Sequence, residues 1–314
     1  MAAFYESGLL VGQPAWHGLG TVIQDGFIAP KEALELAGLN WRVNTEPCFL
    51  QDGTRVPKTM ITRRDSDNAI LGTVGDRYHP LQNEDAFNWF EPFIESRSAS
   101  FETAGSLKDG KVVWVLAKTN IETQEVVKGD AVKSYILLSH SHDGTLSIRG
   151  GFTPQRVVCW NTLSAAHKNA NSKLLKMKHT KNTNIALEKV REIMDLAQQD
   201  FIATIEQYKF LASKAINKND LERYVTLAFG NSDDSEKEIR KSTIERVEYL
   251  FENGVGHELA GKNYWGAYQA ANEYLNYEKG RTQDNRLHNL WFGSGVEANN
   301  KMLQVATDMA SGLI

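Results

Sequence analysis

Val112 to Ala117, the run VVWVLA, is six consecutive apolar residues. It restricts the folds open to the chain more than any other stretch. The run is rich in β-branched and aromatic side chains, and it is far too short to cross a membrane. A strand turns alternate side chains to opposite faces, so an unbroken apolar strand needs cover on both of them. Val112 and Trp114 are therefore expected on one face of a central strand, with Val113 and Val115 on the other.

The rest of the first half reads as mixed α and β. APKEALELAGLN (Ala29 to Asn40) has a proline near its start and apolar residues at helical spacing, which predicts a short helix ending at Gly38. WRVNTEPCFL predicts a strand, and KTMITRRDSDNAILGTVGDRY a hairpin turning at Asp65 to Asn68. LQNEDAFNWFEPFIES has period 3.6 and predicts one helix with Asn83 as its cap. Strands are expected near Ser100 to Ser106, in KVVWVLAKT, in KSYILLSHS and in TLSIRGGFT.

From about Ile185 the period changes to that of helices, in a long segment reaching Ile216 and then at Asn219 to Phe229, Ser235 to Glu252 and Tyr264 to Tyr277. The expected fold class is α+β: a β-rich core domain over residues 1–180, then a helical region over 181–314 packed on it.

Apolar residues make up 41% of the chain and charged ones 24%, as in ordinary globular proteins. The two cysteines, Cys48 and Cys159, are far apart and outside any CxxC, which points away from a disulfide scaffold or a cysteine-rich zinc site. The first residues carry neither a basic stretch nor a continuous apolar one, so no signal peptide is expected. No stretch approaches 18 apolar residues, so no membrane span is expected either. A cytoplasmic protein is the resulting expectation.

Chemistry is harder to find. His140, His142 and Asp143 fall close together in LLSHSHDGT, superficially like the HxHxDH motif of metallo-β-lactamase-like hydrolases. The second aspartate–histidine pair of that motif is missing, because Gly144 and Thr145 follow. Asp143–Gly144 is instead a favoured turn pair between two strands. The expectation is no metal here, with the histidines as polar residues near a strand end. No HExxH, Walker A or GxGxxG pattern occurs, and Cys159 reads as a small buried residue despite His167 nearby. No catalytic residue and no cofactor are expected, and a non-enzymatic role is favoured.

The charge distribution says more than its sum. The formal net charge is -4, yet Gly144 through Leu187 contains no Asp or Glu. That window carries Arg149, Arg156, Lys168, Lys173, Lys176, Lys178 and Lys181. Such a cluster concentrates positive potential where a phosphate backbone could run, and Phe152 and Trp160 could stack on bases. A second group, Arg55, Lys58, Arg63 and Arg64, is weaker because strand alternation puts Arg63 and Arg64 on opposite faces.

AWHGLG near the N-terminus, YHPLQNEDAF, FETAGSLKDGKVVWVLAK, SHDGT, FTPQRVVCWNTL and AYQAANEYLNY occur in an order that resembles the uncharacterised phage/plasmid-like protein family. That resemblance covers most of the chain and implies an origin in phages, prophages or plasmids. It brings no catalytic set with it. More loosely, a β-rich core followed by basic and helical segments is similar to the phage single-strand annealing proteins, which assemble into rings or filaments around DNA. The expectation is a homo-oligomeric protein that binds or anneals single-stranded DNA in recombination or replication. The alternatives are a structural or host-interaction protein whose basic window is a subunit interface, and a metal-dependent nuclease using His140, His142 and Asp143.

Overall fold

The computed structural model describes residues 5–12, 20–24, 26–156, 175–181, 197–230, 241–279 and 294–314. Strands dominate the first half and helices the second, an α+β fold as expected. The chain divides into two units. One comprises Met1–Ile121, Tyr135–Phe152 and Ala170–Ala197, the other Glu122–Ser134, Thr153–Asn169 and Gln198–Ile314.

The first unit begins with β1 (Tyr5–Val11), β2 (Thr21–Ile23), α1 (Pro30–Leu36), β3 (Val43–Phe49), β4 (Arg55–Arg64) and β5 (Ile70–Gly75). The helices α2 (Asn83–Asn88) and α3 (Glu91–Glu95) lead to β6 (Ala99–Leu107) and β7 (Val112–Thr119). After the short β8 (Gln124–Val127), which sequence reasoning missed, come β9 (Asp130–Ser141), β10 (Ile148–Arg156) and β11 (Leu175–Met177). The main sheet runs in the order β11-β10-β9-β7-β6-β1-β2, and β3-β4-β5 form a separate antiparallel sheet. Along the chain, β9 begins in the second unit and ends in the first, while β10 runs the other way.

β7 is interior to that order, and Val112 to Ala117 are all buried. Val113, Val115 and Ala117 face the core of the first unit opposite His140, Leu138 and Ile136 of β9. Val112, Trp114 and Leu116 alternate to the other face. The core-facing side shares its cluster with Leu34 of α1, Phe87 of α2 and Ile94 of α3, and Phe101 of β6 lies beside Phe87 and Phe90. α1 stops where Gly38 takes a positive φ of 67°, the left-handed turn that ends many helices.

Where one helix was expected after Leu81 there are two short ones. Pro92 sits in the first turn of α3, and its missing N–H and fixed ring disfavour a continuous helix there. Asn83 is not a cap. It is fully buried, and its Nδ2 donates to Leu39 O at 3.0 Å and Trp41 O at 3.4 Å. Gln82 occupies the cap position, and its amide bonds both backbone groups of Val43.

The second unit contains α4 (Ala197–Ala212, of which Ala197 falls in the first unit), α5 (Lys218–Phe229), α6 (Lys241–Asn253), α7 (His257–Ala260), α8 (Tyr264–Glu273) and α9 (Ser294–Ala310). Asn217 and Asn263 cap α5 and α8, each accepting a backbone N–H at 2.9 Å. Tyr264 to Asn272 are buried on every side of α8, which makes it the central helix of the unit. It continues into a π-helix, Tyr274–Glu278. Among the described residues no helix is long and apolar enough to cross a membrane.

Candidate functional site

The acid-free window enters the structure at the edge of the main sheet. β10 and β11 pair antiparallel, with Ile148 opposite Met177, Arg149 opposite Lys176 and Gly150 opposite Leu175. Ile148 is fully buried in the core, and Met177 packs against the same cluster. A period of two then places the Arg149 and Lys176 positions together on the other face of the ladder. Lys178 and Lys181 follow β11 directly and are exposed, while Arg149 and Phe152 are half-buried. Arg156 is the last residue of β10, and the side chains of Arg156 and Lys176 are outside the described set. Lys168, Lys173 and Trp160 lie outside the described residues altogether, as does Cys159. The structure thus gathers Arg149, Lys176, Lys178 and Lys181 at one sheet edge.

Of the weaker basic group, Arg55 and Lys58 are exposed, whereas Arg63 and Arg64 are engaged within the fold. Arg63 donates to Glu46 at 2.9 Å and to Asn68 O. Arg64 is buried, forks onto both carboxylate oxygens of Asp67 and lies 5.2 Å from the centre of the Trp41 ring. The guanidinium holds the Asp67 carboxyl down at about 2.

What anchors the edge strand is a residue the sequence left unassigned. His179 is 8% exposed and sits between the exposed Lys178 and Thr180. Its Nε2 donates to Leu146 O at 3.0 Å, its carbonyl accepts from His79 N at 3.2 Å, and its ring stacks on Tyr78 at 4.7 Å. The Tyr78 hydroxyl donates to Ser141 O at 2.6 Å, tying that ring to the end of β9.

His179 meets His140 and His142 in the interior. The latter two lie at the end of β9 as expected, but they are fully buried and extend the core-facing row Ile136, Leu138. The turn after them is real: Asp143 Oδ1 accepts from Thr145 N and Thr145 Oγ1, and Gly144 takes φ 75°. The His140 ring lies 4.8 Å from that of His142 and 6.3 Å from that of His179.

Hydrogen bonding assigns the tautomers. Because Asn83 Nδ2 donates to two carbonyls, its Oδ1 must accept from His142 Nε2, 3.0 Å away. His179 Nε2 likewise carries the proton given to Leu146 O. The bare Nδ1 atoms of His142 and His179, and both ring nitrogens of His140, are buried without a hydrogen-bond partner among the described residues. Burial pushes His142 down to about 3 and His179 to about 4, and drives His140 well below the ordinary imidazole value. All three are neutral in the folded protein near pH 7. Among the described residues no group of three or more His, Cys, Asp or Glu is arranged to hold a metal ion.

A family model described as a domain of unknown function, DUF932, matches residues 70–291, more than two thirds of the chain. That span includes the histidine cluster and the basic edge. No curated protein and no solved structure matches the chain.

Proposed function

The chain belongs to the family of the DUF932 domain, and from that premise we propose that it is a non-enzymatic DNA-binding protein of phage or prophage origin. It holds the backbone of single-stranded DNA along the β10–β11 edge and works as a homo-oligomer in recombination or replication in the host cytoplasm. One observation carries this reading: Arg149 and Lys176 oppose each other in the ladder, with Lys178 and Lys181 exposed immediately beyond. A polyanion along that edge gains from the concentrated positive potential. Lysines meet phosphate as point charges, so affinity depends little on base sequence.

The test is a salt titration of single-stranded oligonucleotide binding by the parent protein and a Lys178→Glu, Lys181→Glu double variant. Each phosphate that the protein no longer neutralises lowers the slope of log affinity against log salt by about 0.7. The variant is expected to bind every sequence more weakly, with a shallower slope, and to remain folded because both lysines are exposed. Unchanged DNA affinity together with an altered oligomer size would favour the subunit-interface reading instead.

A further inference from the structure

We propose that His140, His142 and His179 form an acid-opened latch, in which proton uptake expels His179 from the interior and releases the edge strand β11 from the sheet. The latch needs no nucleic acid, so it stands apart from the DNA-binding reading.

The geometry makes protonation and closure incompatible. In the closed cluster a proton could enter only at the bare Nδ1 atoms of His142 and His179 or at His140, and each is buried without an acceptor among the described residues. Any two of these rings charged together would place like charges a few ångströms apart in a dry interior. The groups facing the cluster do little to offset this. Tyr78 stacks on His179 and gives its proton to Ser141 O, and burial pushes its own ionisation up. The backbone hydrogen bonds of Leu146 and His79, and after them the Asp143 carboxylate in the β9–β10 turn, favour a charged His179, but burial outweighs them. From β4 the Arg64 guanidinium further disfavours a charged His142. Trp41 meets His142 edge-on at 5.2 Å, Asn83 accepts its Nε2 proton, and His79 reaches the cluster through its backbone N–H.

His179 is the member free to leave. His140 belongs to β9, which is held along its length by β7, and His142 N donates to Lys111 O at 2.7 Å. His179 follows a strand of three residues that is the last of the sheet among the described residues, and it is the least buried of the three histidines. Short edge elements open at low cost. The sign follows from the depressed values: the closed form binds fewer protons than the open one. Closure is therefore fully favoured above the ordinary imidazole pKa near 6.5. It weakens as pH falls below that value, until the folded value of about 4 for His179. Opening grows about tenfold per pH unit for each proton taken up, so an opening that frees all three rings approaches a thousandfold per unit.

Amide hydrogen exchange of β10 and β11, without DNA and corrected for intrinsic pH dependence, reads the opening between pH 7.5 and 4.5. These limits bracket about 6.5. Below that value the logarithm of the opening constant is expected to rise with a slope between about two and three per pH unit, because opening wets both His179 and His140, while β6 and β7 stay protected. His179→Gln keeps a donor for Leu146 O but cannot titrate, and His140→Leu removes the central ring. Each is expected to reduce the slope by about one, and either variant suffices if the other fails to fold. Acid-enhanced exchange with the parent slope in the folded variants overturns the latch. So does exchange that rises equally in β6 and β7.

Discussion

Asn83 does three jobs from one buried amide: its Nδ2 holds the carbonyls of Leu39 and Trp41, and its Oδ1 holds the proton of His142. Asn83→Leu would leave those partners buried and unpaired, at about 1–3 kcal/mol for each unsatisfied group before relaxation. A loss of roughly 2–4 kcal/mol in urea unfolding is expected; a loss below about 0.5 kcal/mol, the usual range for surface substitutions, would show that the amide does not carry this load. Little of the arrangement was legible in the sequence. An asparagine before an amphipathic run looks like a cap, because the partners that claim its side chain lie far away along the chain. The same holds for His179, whose ring is buried between two exposed residues. Local pattern reports the lysines, whereas the pocket waiting for the imidazole is built by His140 of β9, by Tyr78 and by the turn at Leu146.

Elements were easier to read than sites. The strand alternation in KTMITRRDSDNAILGTVGDRY, the apolar run of β7 and the Gly38 stop of α1 are local signals, and each element formed where its signal lay. β8 escaped because four residues, QEVV, carry too little periodicity to stand out. At this scale a confined backbone position is Gly105 of β6, opposite Trp114. A Cβ there would lie 2.6 Å from both the Ser7 carbonyl oxygen and the Trp114 ring. Strands β1 and β7 flank it, so neither neighbour can retreat without disturbing its own ladder. Gly105→Ala is expected to cost about 1–3 kcal/mol through overpacking. Because the substitution changes no charge, the shift in urea midpoint should be the same at pH 7 and pH 8.

Across the whole molecule, the change of hydrophobic period from two to 3.6 announced an α+β chain. Which segments share a unit is decided by long-range packing that pattern cannot see. The β8–β9 turn groups with the helices of the second unit, where Trp265 Nε1 donates to the fully buried Asp130 at 2.8 Å across 135 positions of sequence. Trp265→Phe keeps an aromatic ring beside Tyr208 but withdraws that proton from the carboxylate. A loss of about 1–3 kcal/mol is expected, measurable as a lower denaturant midpoint in the helical circular dichroism signal. An unchanged midpoint would mean the carboxylate is held by its other partners alone. The sheet order has a different kind of consequence, one that concerns synthesis. β1 has β6 and the short β2 as its neighbours, and its register with β6 joins Tyr5 to Leu107 and Leu10 to Thr103. A ribosome releases the N-terminal strand long before it releases that partner. The nascent chain therefore carries an unmatched strand edge while about a hundred further residues are added, at roughly 5–20 residues per second. That interval of several seconds is when the polypeptide is most open to wrong pairings with its neighbours on the same message.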